Sequence, residues 1–236
     1  MNSTTTSRGI VITGAAGALG QAVAQHFLDE GARLALIDQG LDRLRQVFQG
    51  RADAAPHLLL AADVSSDESM ADAAQRIEAS VGRIDVVVHV AGGFEMGEPV
   101  HGLSRAAWDR MMNLNAWSFV AVTKAFVPAM LERGAGKVVA VSARSAERGL
   151  AQMAAYCASK SALQRLVEAL SQEVRGKGIN VNSVAPTIMD TPANRQSMPD
   201  ADRSAWVPTA VAARSIGYLA SDAAAAVHGQ HLVLGA

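Results

Sequence analysis

Thr13-Gly-Ala-Ala-Gly-Ala-Leu-Gly20 is the stretch of sequence that decides the fold. It follows the short apolar run Gly9–Thr13 and opens Leu19–Glu30, whose apolar residues recur at helical spacing. Glycines between a strand and a helix let backbone amides approach a pyrophosphate, which the helix dipole also attracts. The segment therefore predicts a dinucleotide-binding turn, with a simple tight turn as the alternative. The candidate cofactor contacts here are Gly14, Gly17, Leu19 and Gly20.

Strand-like and helix-like segments alternate along the rest of the chain. The predicted strands are Gly9–Thr13, Arg33–Asp38, Leu58–Ala62, Ile84–Val90, Lys137–Ser142, Ile179–Val184 and Gln230–Leu234. The predicted helices are Leu19–Glu30, Leu41–Gln49, Asp67–Val81, Ser104–Arg133, Ala155–Arg175 and Thr209–Leu219. This alternation, with nearly continuous apolar strands, predicts an α/β Rossmann fold: a doubly wound parallel sheet of about seven strands, with helices on both faces.

Residues 1–236 are expected to form a single domain, since no linker or repeat divides them. The one long stretch without clear periodicity is 186–208, which we interpret as a substrate lid within that domain.

The composition excludes several classes of protein. Half of the 236 residues are hydrophobic and the formal net charge is −1, so neither disorder nor a nucleic-acid partner is expected. The single cysteine excludes a disulfide framework, and the polar N-terminal residues 1–7 do not resemble a signal peptide. No uninterrupted apolar run of membrane-spanning length and no metal-ligand spacing occurs. These features predict a cytoplasmic protein without a membrane segment or a bound metal.

The residues that end the predicted strands form the expected cofactor cleft, because ligands bind at the carboxyl ends of parallel strands. Asp38 ends the second strand, where its carboxylate can accept both adenosine ribose hydroxyls. It would repel a 2′-phosphate 4 Å away by about 4 kcal/mol at an effective dielectric constant near 20. This favours NAD(H) over NADP(H), although Arg43 lies nearby, and Asp38 could instead cap the next segment. Further cofactor candidates are Asp63, Val64, Ala91 and Gly92.

Tyr156 and Lys160 are the candidate acid/base pair. They lie four residues apart at the start of a predicted helix, so both side chains can face one cleft. A nearby ammonium favours the phenolate and is expected to lower the tyrosine pKa from about 10. Tyr156 could then exchange a proton while a hydride moves to or from nicotinamide.

Together these motifs resemble the short-chain dehydrogenase/reductase family over the whole chain. The resemblance implies that Tyr156 is the acid/base, that Lys160 binds the nicotinamide ribose and that Asn115 helps to hold a proton-relay water. It implies nicotinamide contacts from Pro186, Ile188 and Thr191. It also implies a homodimer or homotetramer acting on a small molecule.

The departures from the family pattern bear on the substrate. The family serine lies thirteen residues before the tyrosine, where this chain has Ala143. Ser142 would point to the other face of its strand, and Ser145 could reach the pocket. Ala143 and the segments 17–20, 90–93 and 190–206 resemble the corresponding parts of quinonoid dihydropteridine reductase. That enzyme also lacks the serine.

Three functions stay open. The favoured one is reduction of a quinonoid dihydropteridine. The others are reduction of a carbonyl such as a 3-oxoacyl thioester, or alcohol oxidation, with Ser145 in place of the serine, and nucleotide sensing without catalysis. The sequence does not indicate the direction of the reaction, nor whether the oligomer is a dimer or a tetramer. Candidate substrate contacts are Phe94, Glu95, Met96, Met189, Met198 and Trp206, with Arg144 and Arg148 for an anion. Cys157 is expected to be a small packing residue, and His89 a packed or hydrogen-bonded histidine.

Overall fold

A computed structural model describes residues 7–235, and the polar segment 1–6 and residue 236 lie outside the described residues. Seven parallel strands form one sheet. Their bounds are β1 Gly9–Thr13, β2 Arg33–Asp38, β3 Leu58–Ala61, β4 Val86–His89, β5 Gly136–Val141, β6 Ile179–Pro186 and β9 His231–Leu234. Their order in the sheet is β3-β2-β1-β4-β5-β6-β9. The predicted parallel sheet of about seven strands is confirmed.

The strand order reverses between β1 and β4, which are neighbours in the sheet. From β1 the chain proceeds outward to β2 and β3, then returns to β4 on the other side. Connections on either side of this point leave a crevice at the carboxyl ends of the strands. The glycine-rich turn after β1 and the turn after β4 both lie at this crevice.

Helices cover both faces of the sheet. Their bounds are α1 Ala18–Asp29, α2 Leu41–Phe48, α3 Asp67–Val81, α4 Arg105–Met112, α5 Ser118–Arg133, α6 Ala154–Glu173, α7 Pro192–Ser197 and α8 Thr209–Leu219. Apolar residues of α1, α2 and α8 pack with one face of the strands, in one hydrophobic core. Those of α3, α5 and α6 pack with the opposite face, in a second core. Because successive strand residues point to opposite faces, Val11 belongs to the second core while Ile10 and Ile12 belong to the first.

The segment Ser104–Arg133 differs from the single helix that its apolar pattern predicts. A π-helical turn, Asn113–Trp117, separates α4 from α5. π-Turns occur as single turns inside longer helices, so the apolar pattern of the residues on either side still predicts one helix. The inserted turn carries Asn115, one of the predicted catalytic residues.

The stretch 186–208 is more ordered than its lack of periodicity suggests. Strands β7 (Met189–Asp190) and β8 (Val207–Pro208) pair in parallel and enclose α7. Thr191 caps α7 by accepting a hydrogen bond from the Asn194 amide at 3.2 Å, and Pro192 occupies the first helical turn. These elements are too short to produce a periodic signal, so sequence inspection missed them.

One helical stretch, 105–133, has the length and apolar composition of a membrane span. Half of its most apolar window is buried inside the fold, where α5 packs against α3 and the sheet. The core helix of a globular domain has the same composition, so the stretch is explained by packing.

Candidate active site

The glycine-rich turn after β1 packs directly against the turn after β4. Gly14 has a positive φ of 65°, and a Cβ there would lie 2.8 Å from the Ala91 backbone. A Cβ on Gly20 would lie 2.2 Å from the Gly14 carbonyl oxygen. Only glycine fits at either position without movement of the backbone. The sequence signal therefore reflects close backbone packing as well as the expected approach of a phosphate.

Helix α1 begins at this turn without a side-chain cap on its N-terminal residue, Gly17. The amides of a first helical turn have no partners within the helix, and the dipole makes that end attractive to anions. Leu19 is buried beneath the turn. These features fit the pyrophosphate of a dinucleotide, for which Gly17 and the following residues would provide backbone amides.

Asp38 holds the glycine-rich turn in place. Its Oδ2 accepts a hydrogen bond from the Ala16 amide at 3.0 Å, and its Oδ1 accepts one from the Gln39 amide at 2.9 Å. A carboxylate oxygen can accept more than one hydrogen bond, so each retains capacity for a ribose hydroxyl. The structural role and the predicted ribose-binding role are therefore compatible in one side chain.

Asp63 and Val64 lie at the end of β3, where adenine is expected. Asp63 Oδ1 accepts hydrogen bonds from the Ser65 amide at 2.9 Å and the Ser65 hydroxyl at 2.7 Å. These bonds hold the pKa of Asp63 below its usual range. Val64 is buried. The carboxylate is thus fixed and negatively charged at the rim of the crevice.

Asn115 fastens the turn after β4 to the helices behind it. Its Oδ1 accepts from the Gly93 amide at 2.9 Å, while its Nδ2 donates to the Gly93 carbonyl and to Ser159 Oγ, both at 3.0 Å. A Cβ on Gly92 would lie 2.9 Å from Asn115 Oδ1 and 3.0 Å from Lys160 Nζ. Gly92 therefore leaves room for both groups to approach the same backbone.

Lys160 is buried beside Gly92. Its Nζ donates a hydrogen bond to the Val141 carbonyl at the end of β5, at 2.9 Å. Burial lowers the pKa of Lys160 to about 8, because the ammonium is shielded from water. The lysine can therefore exchange a proton at a pH close to neutral.

Tyr156 is partly buried one helical turn before Lys160. Burial raises the pKa of the phenol, and a hydrogen bond from Ser145 lowers it to a smaller extent. The expected lowering of the tyrosine pKa by Lys160 is thus not seen: burial has the largest effect, and the opposing hydrogen bond comes from Ser145. Phe94 packs edge-on against the Tyr156 ring, with centroids 4.9 Å apart, and is 58% exposed.

Ser142 and Ser145, the two serines near Ala143, have different surroundings. Ala143 is buried, and Ser142 Oγ makes a long, 3.5 Å hydrogen bond to the Lys160 carbonyl. Ser145 instead lies on the short helical turn Arg144–Glu147, next to the Tyr156 phenol. Of the two serines that the sequence leaves open, Ser145 is the one beside the candidate acid/base.

The predicted nicotinamide contacts at the end of β6 differ in accessibility. Pro186 is buried, whereas Ile188 is 43% exposed. Thr191 uses its hydroxyl to cap α7. Trp206 is buried, with Arg203 over its ring, so it anchors the segment 186–208.

Two of the charged candidates around the crevice, Glu95 and Arg144, are already paired. Glu95 accepts a hydrogen bond from Arg110 at 2.7 Å, and Arg144 pairs with Glu147 at 2.6 Å. Met96 is exposed, while Met189 packs against the first core. Cys157 is buried, in line with its expected packing role. Within residues 7–235, no group of three His, Cys, Asp or Glu side chains is arranged to hold a metal ion.

The functional signals that sequence inspection missed are interactions between side chains distant in the chain. The contacts of Ser145 and Phe94 with Tyr156 depend on loops that periodicity does not describe. His89, at the end of β4, is fully buried and bonded on both ring nitrogens.

Comparison with known proteins agrees with this geometry. The model of the short chain dehydrogenase family matches residues 8–202. The chain belongs to the short-chain dehydrogenase family. It is 33% identical to the D-threitol dehydrogenase of Mycolicibacterium smegmatis, over 95% of this chain and 90% of that protein. The crystal structure of levodione reductase superimposes with a TM-score of 0.89 at 25% identity, over 97% of this chain and 96% of that one.

Membership of this family makes the protein an oxidoreductase of the type that uses NAD or NADP. The comparisons do not support the specific resemblance to quinonoid dihydropteridine reductase. A distant pterin enzyme is found, since the chain is 30% identical to the NADPH-dependent pterin aldehyde reductase of Arabidopsis thaliana, over 80% of this chain and 78% of that protein. The resemblance that the comparisons support is therefore to the short-chain dehydrogenase family as a whole.

Proposed function

We propose that this short-chain dehydrogenase interconverts an alcohol and a carbonyl on a small polar substrate, with NAD(H) as cofactor. The observation that carries the proposal is the placement of the Ser145 hydroxyl beside the Tyr156 phenol, where it lowers the pKa of that phenol. It supplies a hydroxyl donor at the acid/base, in a chain that has Ala143 at the usual serine position. The similarity to a D-threitol dehydrogenase supports an alcohol substrate.

The proposed chemistry assigns a separate task to each side chain. Bound nicotinamide supplies or accepts the hydride. Tyr156 donates its phenolic proton to the substrate oxygen during reduction and removes it during oxidation. In our proposal the Ser145 hydroxyl, which lowers the pKa of Tyr156, stabilises the phenolate and polarises the substrate oxygen.

Lys160 and Asn115 organise the cofactor side of the site. Lys160 Nζ and Asn115 Oδ1 flank Gly92, where the ribose next to nicotinamide would bind. With a pKa of about 8, Lys160 can pass a proton to Tyr156 or receive one without a large energetic cost. Asn115 is fully engaged with Gly93 and Ser159, so in our proposal it positions the turn.

Phe94 and the segment 186–208 would form the rest of the substrate-binding surface, opposite the cofactor. Phe94 presents an exposed aromatic edge beside Tyr156, and Ile188 is exposed at the end of β6. Both are apolar, and closure over the substrate would exclude water from the hydride-transfer site. The Glu95–Arg110 ion pair lies next to Phe94 and would face the polar end of a substrate.

Reduction of a quinonoid dihydropteridine is a second candidate. Ala143 favours it, because a conjugated ring system does not need a serine to polarise a ketone oxygen. The exposed Phe94 ring could also stack on a flat heterocycle. Nucleotide sensing without catalysis is less well supported, because Tyr156, Lys160 and Asn115 are all present, Asn115 is bonded to Gly93 and Lys160 Nζ lies beside Gly92.

The decisive experiment compares Ser145→Ala with Ser142→Ala. Each purified enzyme is assayed for NADH formation with a panel of polyols and secondary alcohols, and for NADH consumption with carbonyls and quinonoid dihydropterin. We expect Ser145→Ala to lower kcat for alcohols about 10²- to 10³-fold. Ser142→Ala, which alters a serine outside the pocket, should stay close to the unmodified enzyme.

The pH dependence provides a second test of the same proposal. Because the Ser145 hydrogen bond lowers the pKa of Tyr156, Ser145→Ala should move the rising limb of the alcohol-oxidation profile to higher pH. Tyr156→Phe should abolish that limb together with turnover. Alcohol oxidation that is unaffected by Ser145→Ala would contradict the proposal, and turnover of the pterin alone would favour the second candidate.

A further inference from the structure

His89 lies at the end of β4, directly behind the glycine-rich turn. It is fully buried, its Nδ1 lies 2.9 Å from Thr13 Oγ1, and its Nε2 lies 3.0 Å from Ser118 Oγ. Thr13 is the last residue of β1, and Ser118 is the first residue of α5, immediately after the π-turn. One imidazole thus connects the cofactor-binding strand to the segment that carries Asn115.

The other hydrogen bonds of the two hydroxyl groups determine which ring nitrogen carries the proton. Ser118 donates its only hydroxyl proton to the Leu114 carbonyl at 2.7 Å, so its oxygen must accept from His89 Nε2–H. His89 Nδ1 is then unprotonated and accepts the Thr13 hydroxyl proton. Thr13 Oγ1 in turn accepts the Ala91 amide at 3.3 Å. Every donor in this series of hydrogen bonds has an acceptor only when the His89 ring is neutral and protonated at Nε2.

The surroundings of His89 favour this neutral form. Burial and the positive charge of Lys160 together lower the pKa of His89 to about 3. A second ring proton at Nδ1 would also oppose the Thr13 hydroxyl proton. The ring is therefore held in one protonation state and one tautomer throughout the neutral pH range.

We propose that His89 is a positioning residue, which as the Nε2–H tautomer holds the Ala91–Gly93 turn and the Asn115 segment in register for nicotinamide. The glycine-rich turn has independent anchors, since the Ala15 amide donates to the Ile37 carbonyl and the Ala16 amide donates to Asp38. The π-turn has no equivalent attachment to β1 among these bonds. Loss of the imidazole should therefore disturb the nicotinamide end more than the adenosine end.

The tautomer is tested directly by nitrogen NMR of the protein labelled with ¹⁵N-histidine. We expect the His89 resonances, assigned by their loss in His89→Gln, to show a protonated Nε2 and an unprotonated Nδ1 from about pH 7 to 5. This measurement needs neither substrate nor cofactor. A cationic ring, or a proton on Nδ1, at neutral pH would overturn the proposal.

The positioning role is tested by comparing the affinities of NADH and ADP-ribose, which lacks nicotinamide. It rests on the proposed use of NAD(H), and failure of that function would appear as no NADH binding to the unmodified protein. His89→Phe keeps a ring but loses both hydrogen bonds, so NADH affinity should fall about tenfold. ADP-ribose affinity should change less than about twofold.

His89→Gln provides the conservative comparison, because its amide can donate and accept on the same two sides. It should recover most of the NADH affinity that His89→Phe loses. If His89→Phe does not fold, Ser118→Ala removes the acceptor at one end and should produce a smaller loss of NADH affinity in the same direction. Equal losses for NADH and ADP-ribose, or unchanged affinity for both, would refute a positioning role.

Discussion

Asp38 fixes the glycine-rich turn, and we propose that the same residue also selects the cofactor. Its carboxylate accepts two backbone amides from the glycine-rich turn and the start of the next loop. The same negative charge faces the position where a 2′-phosphate would bind. Repulsion at this partly exposed site is weakened by solvent, so a preference of roughly ten- to a hundredfold for NADH is expected.

Substitution of Asp38 by asparagine should reduce that preference. Asp38→Asn retains one oxygen acceptor for a backbone amide but removes the charge. We therefore expect the ratio of the NADPH and NADH dissociation constants, measured by nicotinamide fluorescence, to fall about tenfold or more. Asp42→Asn, which removes the same charge from an exposed side chain on α2, serves as the control and should leave the ratio within about twofold. Equal affinity of the unmodified enzyme for the two cofactors would contradict this reading of Asp38.

The predicted elements that best match the structure have strong local signals. Helix α3 occupies Asp67–Val81 as predicted, because Ser66 caps it and Gly82 follows its last residue. Strand β1 and helix α8 also match their predicted bounds. Strong periodicity and clear terminal residues specify these elements within the sequence itself.

The sequence was less informative where structure depends on contacts between distant segments. The π-turn at Asn113–Trp117 spans only 5 residues, and the pairing of β7 with β8 involves only two residues on each side. At the site, Tyr156, Lys160 and Asn115 could be named from their motifs. Ser145 could be named as a serine able to reach the pocket, whereas its effect on the Tyr156 pKa and the hydrogen bonds of His89 depend on tertiary packing.

The segment 186–208 is expected to behave as a lid anchored by Trp206. This side chain is buried, and the Val207 amide donates to the Ile188 carbonyl at 2.8 Å. Trp206→Ala should release the segment and accelerate tryptic cleavage after Arg195 and Arg203, with a higher KM for substrate. Ser197→Ala, an exposed change in the same segment, should not alter cleavage. Unchanged cleavage in Trp206→Ala would show that other contacts fix the lid.

At the scale of the whole molecule, His89 should make the fold sensitive to acid. The unfolded chain protonates this histidine near pH 6.5, whereas the folded protein resists protonation until about pH 3. The unfolded state therefore binds more protons in this interval, and the free energy of unfolding should fall as the pH drops through it.

Urea unfolding at several pH values between about 7 and 4 measures this effect. His57 and His228 also have pKa values lowered by burial, so the unmodified protein combines several contributions. His89→Gln cannot titrate and should give a shallower loss of stability than the unmodified protein over the same interval. Parallel stability curves for the two proteins would show that His89 is not responsible.

The exposed apolar side chains of α4 and α5 support the expected homodimer or homotetramer. Trp108 on α4, Trp117 at the end of the π-turn and Leu131 on α5 are 36%, 44% and 37% exposed. Large apolar side chains on neighbouring helices favour burial against a second copy of the chain. Light scattering should therefore give two or four times the mass of one chain.

Trp117→Glu tests whether this helical surface forms the contact. The change replaces a large apolar side chain by a carboxylate that must lose water on association, so association should weaken and the measured mass should fall toward that of one chain at low micromolar concentration. Ala79→Glu adds the same charge to an exposed position on α3 and should leave the mass unchanged. A single-chain mass for the unmodified protein would refute the oligomer, whereas an unchanged mass for Trp117→Glu would move the interface to another face. Because Trp117 ends the π-turn that carries Asn115, a loss of NADH affinity on dissociation would further indicate that assembly supports the active site.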